Sequence, residues 1–121
     1  MIEVPAPTPG EQPGYCLTAG YGEGEPVLYF HGHYDVVPHS VAGQFDPLIE
    51  GSNLFGRGSS DMKSGLASMI YAVHALRRAH TRLKGRVELT LVPDEETGGP
   101  RGSARLGLAS RLNSPEVGLE C

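Results

Sequence analysis

The stretch from Val27 to Pro38, VLYFHGHYDVVP, limits the fold of this chain more than any other segment does. It opens with four apolar or aromatic residues that favour β structure, and this run stops abruptly at His31. The pattern predicts a buried strand that delivers polar side chains from its carboxyl end. Open α/β sheets build their binding sites at that end of their strands. We therefore expect an α/β fold.

His33 and Asp35 follow the apolar run two residues apart, so in an extended backbone their side chains leave on the same side. An imidazole beside a carboxylate suits metal binding, because the carboxylate can accept one ring proton while the other ring nitrogen binds a cation. A structural histidine at a strand end would show the same two residues. The pair alone therefore leaves both interpretations open.

An amphipathic helix and a second strand come later in the chain. The helix is predicted to open at Asp61, with Ser59 and Ser60 as further N-cap candidates. Its apolar residues recur at three- and four-residue spacing: Leu66, Met69, Ile70, Val73 and Leu76. The segment from Gly85 to Pro93, GRVELTLVP, is rich in residues that favour strands. Strand, helix and strand in this order predict a βαβ unit with parallel strands.

Shorter elements are predicted before and between these. Residues 1–14 contain four prolines and predict an extended lead-in, because proline cannot donate a backbone hydrogen bond. Tyr15 to Thr18 predict a short edge strand that ends in a glycine turn. Leu48–Glu50 and Asn53–Phe55 flank Gly-Ser and predict a hairpin. After the second long strand, Gly102 to Leu112 predict a helix and a third strand begins near Val117.

Length and charge narrow the class of protein. The 121 residues allow one domain, and the net charge of -4, which we expect to come without a basic cluster, argues against nucleic acid and anionic membrane as partners. A small molecule or a peptide is the better expectation. No apolar run approaches the roughly 18 residues of a membrane span, and the N-terminus lacks the features of a signal peptide, so we expect a cytoplasmic protein. Cys16 and Cys121 stand in no metal or redox spacing.

Carboxylates accumulate where the predicted strands and the helix end or begin. These residues are Asp61, Glu95, Glu96 and Glu120, and they join His33. An oxygen-rich set with one imidazole suits Zn²⁺, Co²⁺ or Mn²⁺. Structural zinc sites favour cysteine and histidine, so this set indicates a catalytic site. The plain alternative for the DEE sequence is a solvated acidic turn.

Three motifs, in order along the chain, make a resemblance specific. GHYDVVP, GRGSSDMKSG and PDEETGG, between residues 32 and 99, resemble the motif set of the M20 family of metallopeptidases and amidohydrolases. The family includes aminoacylases, acetylornithine deacetylase, succinyl-diaminopimelate desuccinylase and glutamate carboxypeptidases. The resemblance implies that residues 15–121 form the N-terminal part of a three-layer α/β/α catalytic domain with a mostly parallel mixed sheet. The lid or dimerisation domain of the family is not in this sequence.

The resemblance also implies a role for each matching residue. His33 would bind one metal ion, Asp61 would bridge two metal ions, and Glu96 would bind the second. Glu95 would be the general base, and Asp35 would orient the ring of His33. Glu120 lies 24 residues beyond Glu96 (120 - 96), near the spacing of the family's next ligand, although GLEC only loosely matches the usual pattern. The family's final histidine ligand is absent from this sequence.

Two hypotheses about function follow, one of an enzyme and one of an inactive binding module. In the first, the parent protein uses two divalent metal ions, Zn²⁺ before Co²⁺ or Mn²⁺, to cleave an amide bond in an N-acyl amino acid or short peptide. The parent would be a homodimer through the missing lid domain. In the second, the 121-residue chain is a truncated, inactive form that binds metal weakly or serves as an interaction module. A nucleotide-binding domain is disfavoured, because no glycine-rich phosphate loop follows the first long strand.

Overall fold

The computed structural model describes residues 1–4, 6, 9–10, 12–99 and 102. The elements in chain order are β1 (Ile2–Val4), β2 (Gly14–Gly22), β3 (Val27–His33), β4 (Leu48–Glu50), β5 (Asn53–Phe55), α1 (Ser64–Arg78) and β6 (Arg86–Val92). An irregular helical turn, Ser59–Lys63, precedes α1, and a short 3₁₀ turn, Glu95–Thr97, follows β6. Together they form a partial α/β domain, as the sequence predicted.

The main sheet is mixed and has the strand order β1-β2-β6-β3. β3 and β6 are parallel, with His33 beside Val92 at their carboxyl ends. β6 runs antiparallel to β2, and β2 runs antiparallel to β1. The predicted parallel pairing of the two long apolar strands is therefore confirmed. It brings the segments that follow β3 and β6 to the same end of the sheet, at the carboxyl ends of these two strands.

The prediction for β2 was wrong in length and in position. We expected a short edge strand at Tyr15 to Thr18, but β2 extends to Gly22 and lies inside the sheet, between β1 and β6. Of the three glycines that suggested a turn, Gly20 and Gly22 belong to the strand and Gly24 lies beyond its end. A Cβ at Gly22 would lie 2.5 Å from the carbonyl oxygen of Gly85, so glycine permits a close approach of two backbones there. Among the described residues, one edge of the sheet is instead formed by β1, within the expected lead-in, and the other edge is formed by β3.

The predicted start of the helix was also wrong. α1 begins at Ser64, and its N-cap position is Lys63, without a capping side-chain hydrogen bond. Asp61 (φ -116°, ψ 103°) and Met62 (φ -128°, ψ 32°) are outside the helical region, and the peptide bond between them is cis. Asp61 therefore does not cap α1. Its side chain is turned toward the end of β3 instead.

The buried apolar residues of the described chain lie on α1, where it packs against the sheet, and on strands β2 and β6. Leu66 of α1 is buried over β3, while Cys16 and Val92 are fully buried. Of the predicted apolar helix face, Ile70 is 42% exposed, so that face is only partly covered by the described residues. The hairpin of β4 and β5 is confirmed, with Leu48 paired to Phe55. The helix predicted after Gly102 and the strand predicted near Val117 lie outside the described residues.

The positive charge is unevenly distributed along the chain. Residues 77–86 hold five of the ten lysines and arginines: Arg77, Arg78, Arg82, Lys84 and Arg86. Arg77 and Arg78 lie in the last turn of α1, and the other three follow the helix. The expectation that the chain has no basic cluster was therefore wrong, and the argument against an anionic partner is weakened. In the described residues no helix is long and apolar enough to cross a membrane.

We expect Gly32→Ala to destabilise the intact protein, because a Cβ there would lie 2.6 Å from Leu66 Cδ2 and 2.7 Å from Met62 Cε. Overpacking of this kind costs about 1–3 kcal/mol. Gly20→Ala in β2, which β6 separates from β3, is the matched control, because the nearest atom there would be 3.4 Å away. Thermal unfolding of both variants measures the difference. Equal transition temperatures would show that Leu66 and Met62 move aside without cost.

Candidate metal centre

His33 is the last residue of β3, and its side chain is only 5% exposed. Nε2 lies 3.0 Å from Oδ1 of Asp61. Nδ1 lies 3.2 Å from the backbone carbonyl oxygen of Asp35 and 3.3 Å from its Oδ1. The backbone N–H of His33 donates to the sulfur of Met62 at 3.3 Å. Both ring nitrogens therefore face oxygen atoms, and the ring is held from two loops.

Asp35 connects the loop after β3 to the loop after β6. Its two carboxylate oxygens accept the backbone N–H groups of Glu95, at 3.3 Å, and Glu96, at 3.1 Å. The same carboxylate lies against Nδ1 of His33. With Nδ1 facing Asp35, Nε2 is the nitrogen that remains for a cation. One side chain thus orients the imidazole and fixes the pair of glutamates beside it.

Three of these residues could hold a metal ion. His33, Asp61 and Glu96 each offer one ligand atom, and these atoms all lie within 4.8 Å of one another. A buried imidazole with two carboxylates is a donor set that divalent zinc, cobalt or manganese accepts. The residues present therefore fit a divalent cation, on the chemistry and the convergence of their ligand atoms.

Glu95 lies beside this group without belonging to it. Its Oε2 is 3.8 Å from Nε2 of His33, and the side chain is 56% exposed. In the described part of the chain, the group with mutually close ligand atoms does not include Glu95. The two neighbouring glutamates therefore have different surroundings, with Glu96 in the group and Glu95 at its solvent side.

The centre opens on a cavity of about 510 Å³. Asp61 and Glu96 line it at the centre, and the hairpin contributes Leu48 and Phe55 to the wall. Arg57 also lines it. A small molecule in this cavity would meet carboxylates, apolar surface and a cationic side chain.

The structure brings five of the sequence-predicted residues together at the carboxyl ends of β3 and β6: His33, Asp35, Asp61, Glu95 and Glu96. Their individual roles stay predictions. Glu120 lies outside the described residues. Sequence reasoning missed Met62, and also Lys63, whose Nζ donates to the backbone oxygen of Tyr34 at 2.5 Å. Both directly follow Asp61 inside the second motif, and this position next to a predicted ligand is the sequence signal that could have identified them.

The carboxylates around His33 raise its pKa when no metal is bound. Burial, the largest single influence, lowers the pKa of His33, but the hydrogen bond to Asp61 raises it. The carbonyl of Asp35 and the charges of Asp35 and Glu95 raise it further, and the net pKa lies above 6.5. The neighbouring His31 differs, because burial and then the charge of His33 lower its pKa.

Three comparisons with known proteins agree with the fold and the motifs. The model of peptidase family M20/M25/M40 matches residues 29–116. The succinyl-diaminopimelate desuccinylase of Gluconobacter oxydans (strain 621H) is 45% identical over 91 residues, which cover 73% of this chain and 24% of that protein. The structure of the di-peptidase Dug1p from Saccharomyces cerevisiae matches with a TM-score of 0.68 at 20% identity, over 95% of this chain and 26% of Dug1p. The chain spans about a quarter of the length of each relative.

In metal-free protein we expect Asp61→Asn to lower the pKa of His33, because it removes the strongest of the influences that raise it. A raised histidine pKa contributes stability that is fully present below the unfolded value of about 6.5 and is lost as pH rises through the folded pKa. Asp61→Asn should therefore weaken this fall in stability on the alkaline side. NMR titration of the His33 ring measures the shift, and Asp46→Asn is the control. An unchanged pKa in Asp61→Asn would contradict the assigned cause.

Proposed function

This chain belongs to peptidase family M20/M25/M40, and from that premise we propose that the protein containing it is a metal-dependent hydrolase with two metal ions. Its substrate would be the amide bond of an N-acyl amino acid or a short peptide. The observation that carries the proposal is the convergence of His33, Asp61 and Glu96 with Glu95 beside them. Membership of the family supports hydrolase activity, of the peptidase or amidohydrolase kind, for the protein that contains this chain.

The proposed ligand assignment follows the family resemblance, and the convergence of the three ligand atoms supports it. His33 would hold one cation through Nε2, Glu96 would hold the other, and Asp61 would serve both. Asp61 is within reach of the cation that His33 would hold, because its Oδ1 lies 3.0 Å from Nε2 of His33. Glu120 is proposed as a further ligand. Zn²⁺ fits the imidazole and carboxylate donors, with Co²⁺ and Mn²⁺ as the alternatives.

Asp35 is proposed to fix the tautomer of His33. Because its carboxylate faces Nδ1 at 3.3 Å, the ring proton belongs on that nitrogen and the lone pair on Nε2. The same carboxylate accepts two backbone N–H groups, so rotation of Asp35 would disturb both glutamates as well as the ring.

Glu95 is proposed to move the proton. The metal ions, when bound, supply Lewis acidity that polarises an amide carbonyl and lowers the pKa of a water molecule. The carboxylate of Glu95 accepts the proton of the attacking water and then delivers it to the departing amine. Its position favours this role over ligation, since its carboxylate lies 3.8 Å from Nε2 of His33 and is outside the group of three converging ligand atoms.

The names of the relatives support the substrate class. One is a desuccinylase of an N-succinylated amino acid, and the other is a di-peptidase. Both names describe cleavage of an amide bond next to an amino acid. The cavity of about 510 Å³ has room for a molecule of that size. The rival, an inactive module that binds metal weakly, would use the same centre without turnover.

We expect Glu95→Gln and Glu96→Gln to give opposite results in the intact protein. Glu95→Gln should keep the metal and lose turnover by roughly 10²–10⁴-fold, because no group then accepts the proton of water. Glu96→Gln should lose metal as well as activity, because a ligand is removed. Elemental analysis and rates of amide hydrolysis measure both effects. If Glu95→Gln lost metal and Glu96→Gln kept it, the two roles would have to be exchanged. A wild-type protein that binds metal without turnover would favour the inactive module.

We expect Asp35→Asn to weaken metal affinity or activity by roughly 10- to 100-fold. An asparagine presents an NH₂ group where the second backbone N–H now donates, and it carries no charge for the ring of His33. Competition with a chelator of known affinity measures the metal. Asp46→Asn is the matched control, because Asp46 lines the same cavity. Full affinity and activity in Asp35→Asn would leave Asp35 as a structural residue only.

A further inference from the structure

A second cavity lies where α1 ends, and we refer to it as the basic cavity. Its volume is about 720 Å³. Its lining residues are Tyr21, His74, Arg77, Arg78 and His80. The cavity at the metal centre shares none of them. Asp61 precedes the first residue of α1 by three positions, and a helix of 15 residues is about 22 Å long, so the two cavities lie toward opposite ends of α1.

The stretch of sequence that forms most of the basic cavity has no acidic residue. Residues 62–87 contain six of the ten lysines and arginines and no aspartate or glutamate. In the described part of the chain, the ion pairs formed by arginine belong to Arg86, which contacts Glu25 and Glu88. Arg77 and Arg78 form none there. An anion can therefore meet both guanidinium groups without displacing a carboxylate of the described chain.

The helix places three of these side chains side by side. His74 precedes Arg77 by three residues and Arg78 by four, and residues at these spacings are neighbours on the surface of an α-helix. The ring of His74 also packs edge-on against Tyr71, with 6.4 Å between the ring centroids. A histidine that is held between two arginines lets one ligand contact all three side chains.

The free carbonyl oxygens at the end of a helix are negative and repel an anion. At the end of α1, three of the last four carbonyl oxygens already accept hydrogen bonds. Those of Ala75, Leu76 and Arg77 accept the N–H groups of Ala79, Thr81 and His80, at 2.9, 3.0 and 3.1 Å. The repulsion that opposes an anion at this position is therefore reduced.

The loop after α1 is held against β2. His80 has a φ of 50°, the left-handed conformation that closes a helix end. The hydroxyl of Tyr21 donates to the carbonyl oxygen of Thr81 at 2.7 Å. This contact joins residues that are 60 positions apart in the sequence, and it keeps one wall of the basic cavity in place before any ligand arrives.

A neighbouring cavity of about 500 Å³ shows what distinguishes the basic cavity. It shares Tyr21 and contains one arginine, Arg82, but Glu23 also lines it. An anion there would meet a carboxylate as well as a guanidinium. The lining of the basic cavity has two arginines and two histidines and includes no acidic residue of the described chain.

We propose that the basic cavity binds the phosphate group of a small soluble molecule. A phosphate group carries about -1.5 to -2 charges near pH 7 and has three acceptor oxygens, so it can pair with Arg77 and Arg78 at once. The planar guanidinium group matches phosphate oxygens with two parallel hydrogen bonds. Duplex nucleic acid or a lipid surface needs a long basic face, whereas the binding groups here line a concave site. The proposal does not depend on the function proposed for the metal centre.

Titration of the intact protein with inorganic phosphate tests the site, with sodium chloride holding the ionic strength at about 0.15 M. NMR signals of the His74 and His80 rings report on the basic cavity, and those of the His33 ring report on phosphate bound at the metal centre. We expect saturable shifts of the His74 and His80 signals. Shifts confined to His33, or shifts that chloride alone reproduces, would overturn the proposal.

Arg77→Gln and Arg78→Gln should each weaken phosphate binding by roughly three- to tenfold, and the double variant by more than about tenfold. Glutamine favours helices nearly as well as arginine does, and both positions are exposed, so α1 should be preserved. Arg82→Gln is the matched control, because this exposed arginine lines the neighbouring cavity, and it should change binding by less than about twofold. An equal loss in Arg82→Gln would mean that general positive charge attracts phosphate, and would overturn the proposal.

Two further probes separate a small molecule from a macromolecule. Sedimentation with phosphatidylglycerol vesicles, against phosphatidylcholine vesicles, tests a lipid headgroup as the source of the phosphate, and a short DNA duplex tests nucleic acid. We expect neither to bind the wild-type protein more tightly than inorganic phosphate does. Tight binding of vesicles or duplex that the double variant loses, without binding of free phosphate, would overturn the assignment to a small molecule.

Discussion

The candidate centre depends on the contacts of one carboxylate, that of Asp35. It accepts backbone N–H groups from Glu95 and Glu96 and lies against Nδ1 of His33. These contacts join two loops that are 60 residues apart in the chain, and they become possible because β3 and β6 are parallel neighbours with their ends in register. Two hydrogen bonds to a charged acceptor are worth more than two between neutral groups, and removing that acceptor would leave both donors unpaired. The position of the glutamates is therefore a consequence of Asp35 as much as of their own strand.

Asp61 reaches the centre by a different physical route. Its backbone is extended at the point where the sequence favours a helix, and α1 starts three residues later. Met62 is turned inward by the same conformation, where its sulfur accepts the N–H of His33. The absence of a side chain at Gly32 leaves space for Met62 and Leu66 against β3. A helix beginning at Asp61 would have gained a good N-cap, but the carboxylate would then have been committed to backbone N–H groups in place of His33.

The balance of charge connects the centre with the cavity. Without a cation, the carboxylates near His33 raise its pKa and favour its protonated form. A bound cation would take the place of that proton, because both require the lone pair of Nε2. Arg57 contributes the opposite charge on another part of the cavity wall, held by Gln44.

The sequence by itself determined the α/β class, the parallel strands, the hairpin and the five residues that gather at the sheet edge, because hydrophobic periodicity and motif spacing are local properties. The tertiary structure alone decided the extent of β2, where pairing with β6 overrides the turn tendency of Gly20 and Gly22. It also decided the start of α1, because the contact of Asp61 with His33 lies 28 residues away in sequence and outweighs a local capping preference. The same holds for Arg57: its sequence neighbours show a glycine-flanked arginine, and only the packed chain shows that it lines the same cavity as Asp61 and Glu96. Burial and pairing depend on residues that are distant in sequence, and no local pattern records them.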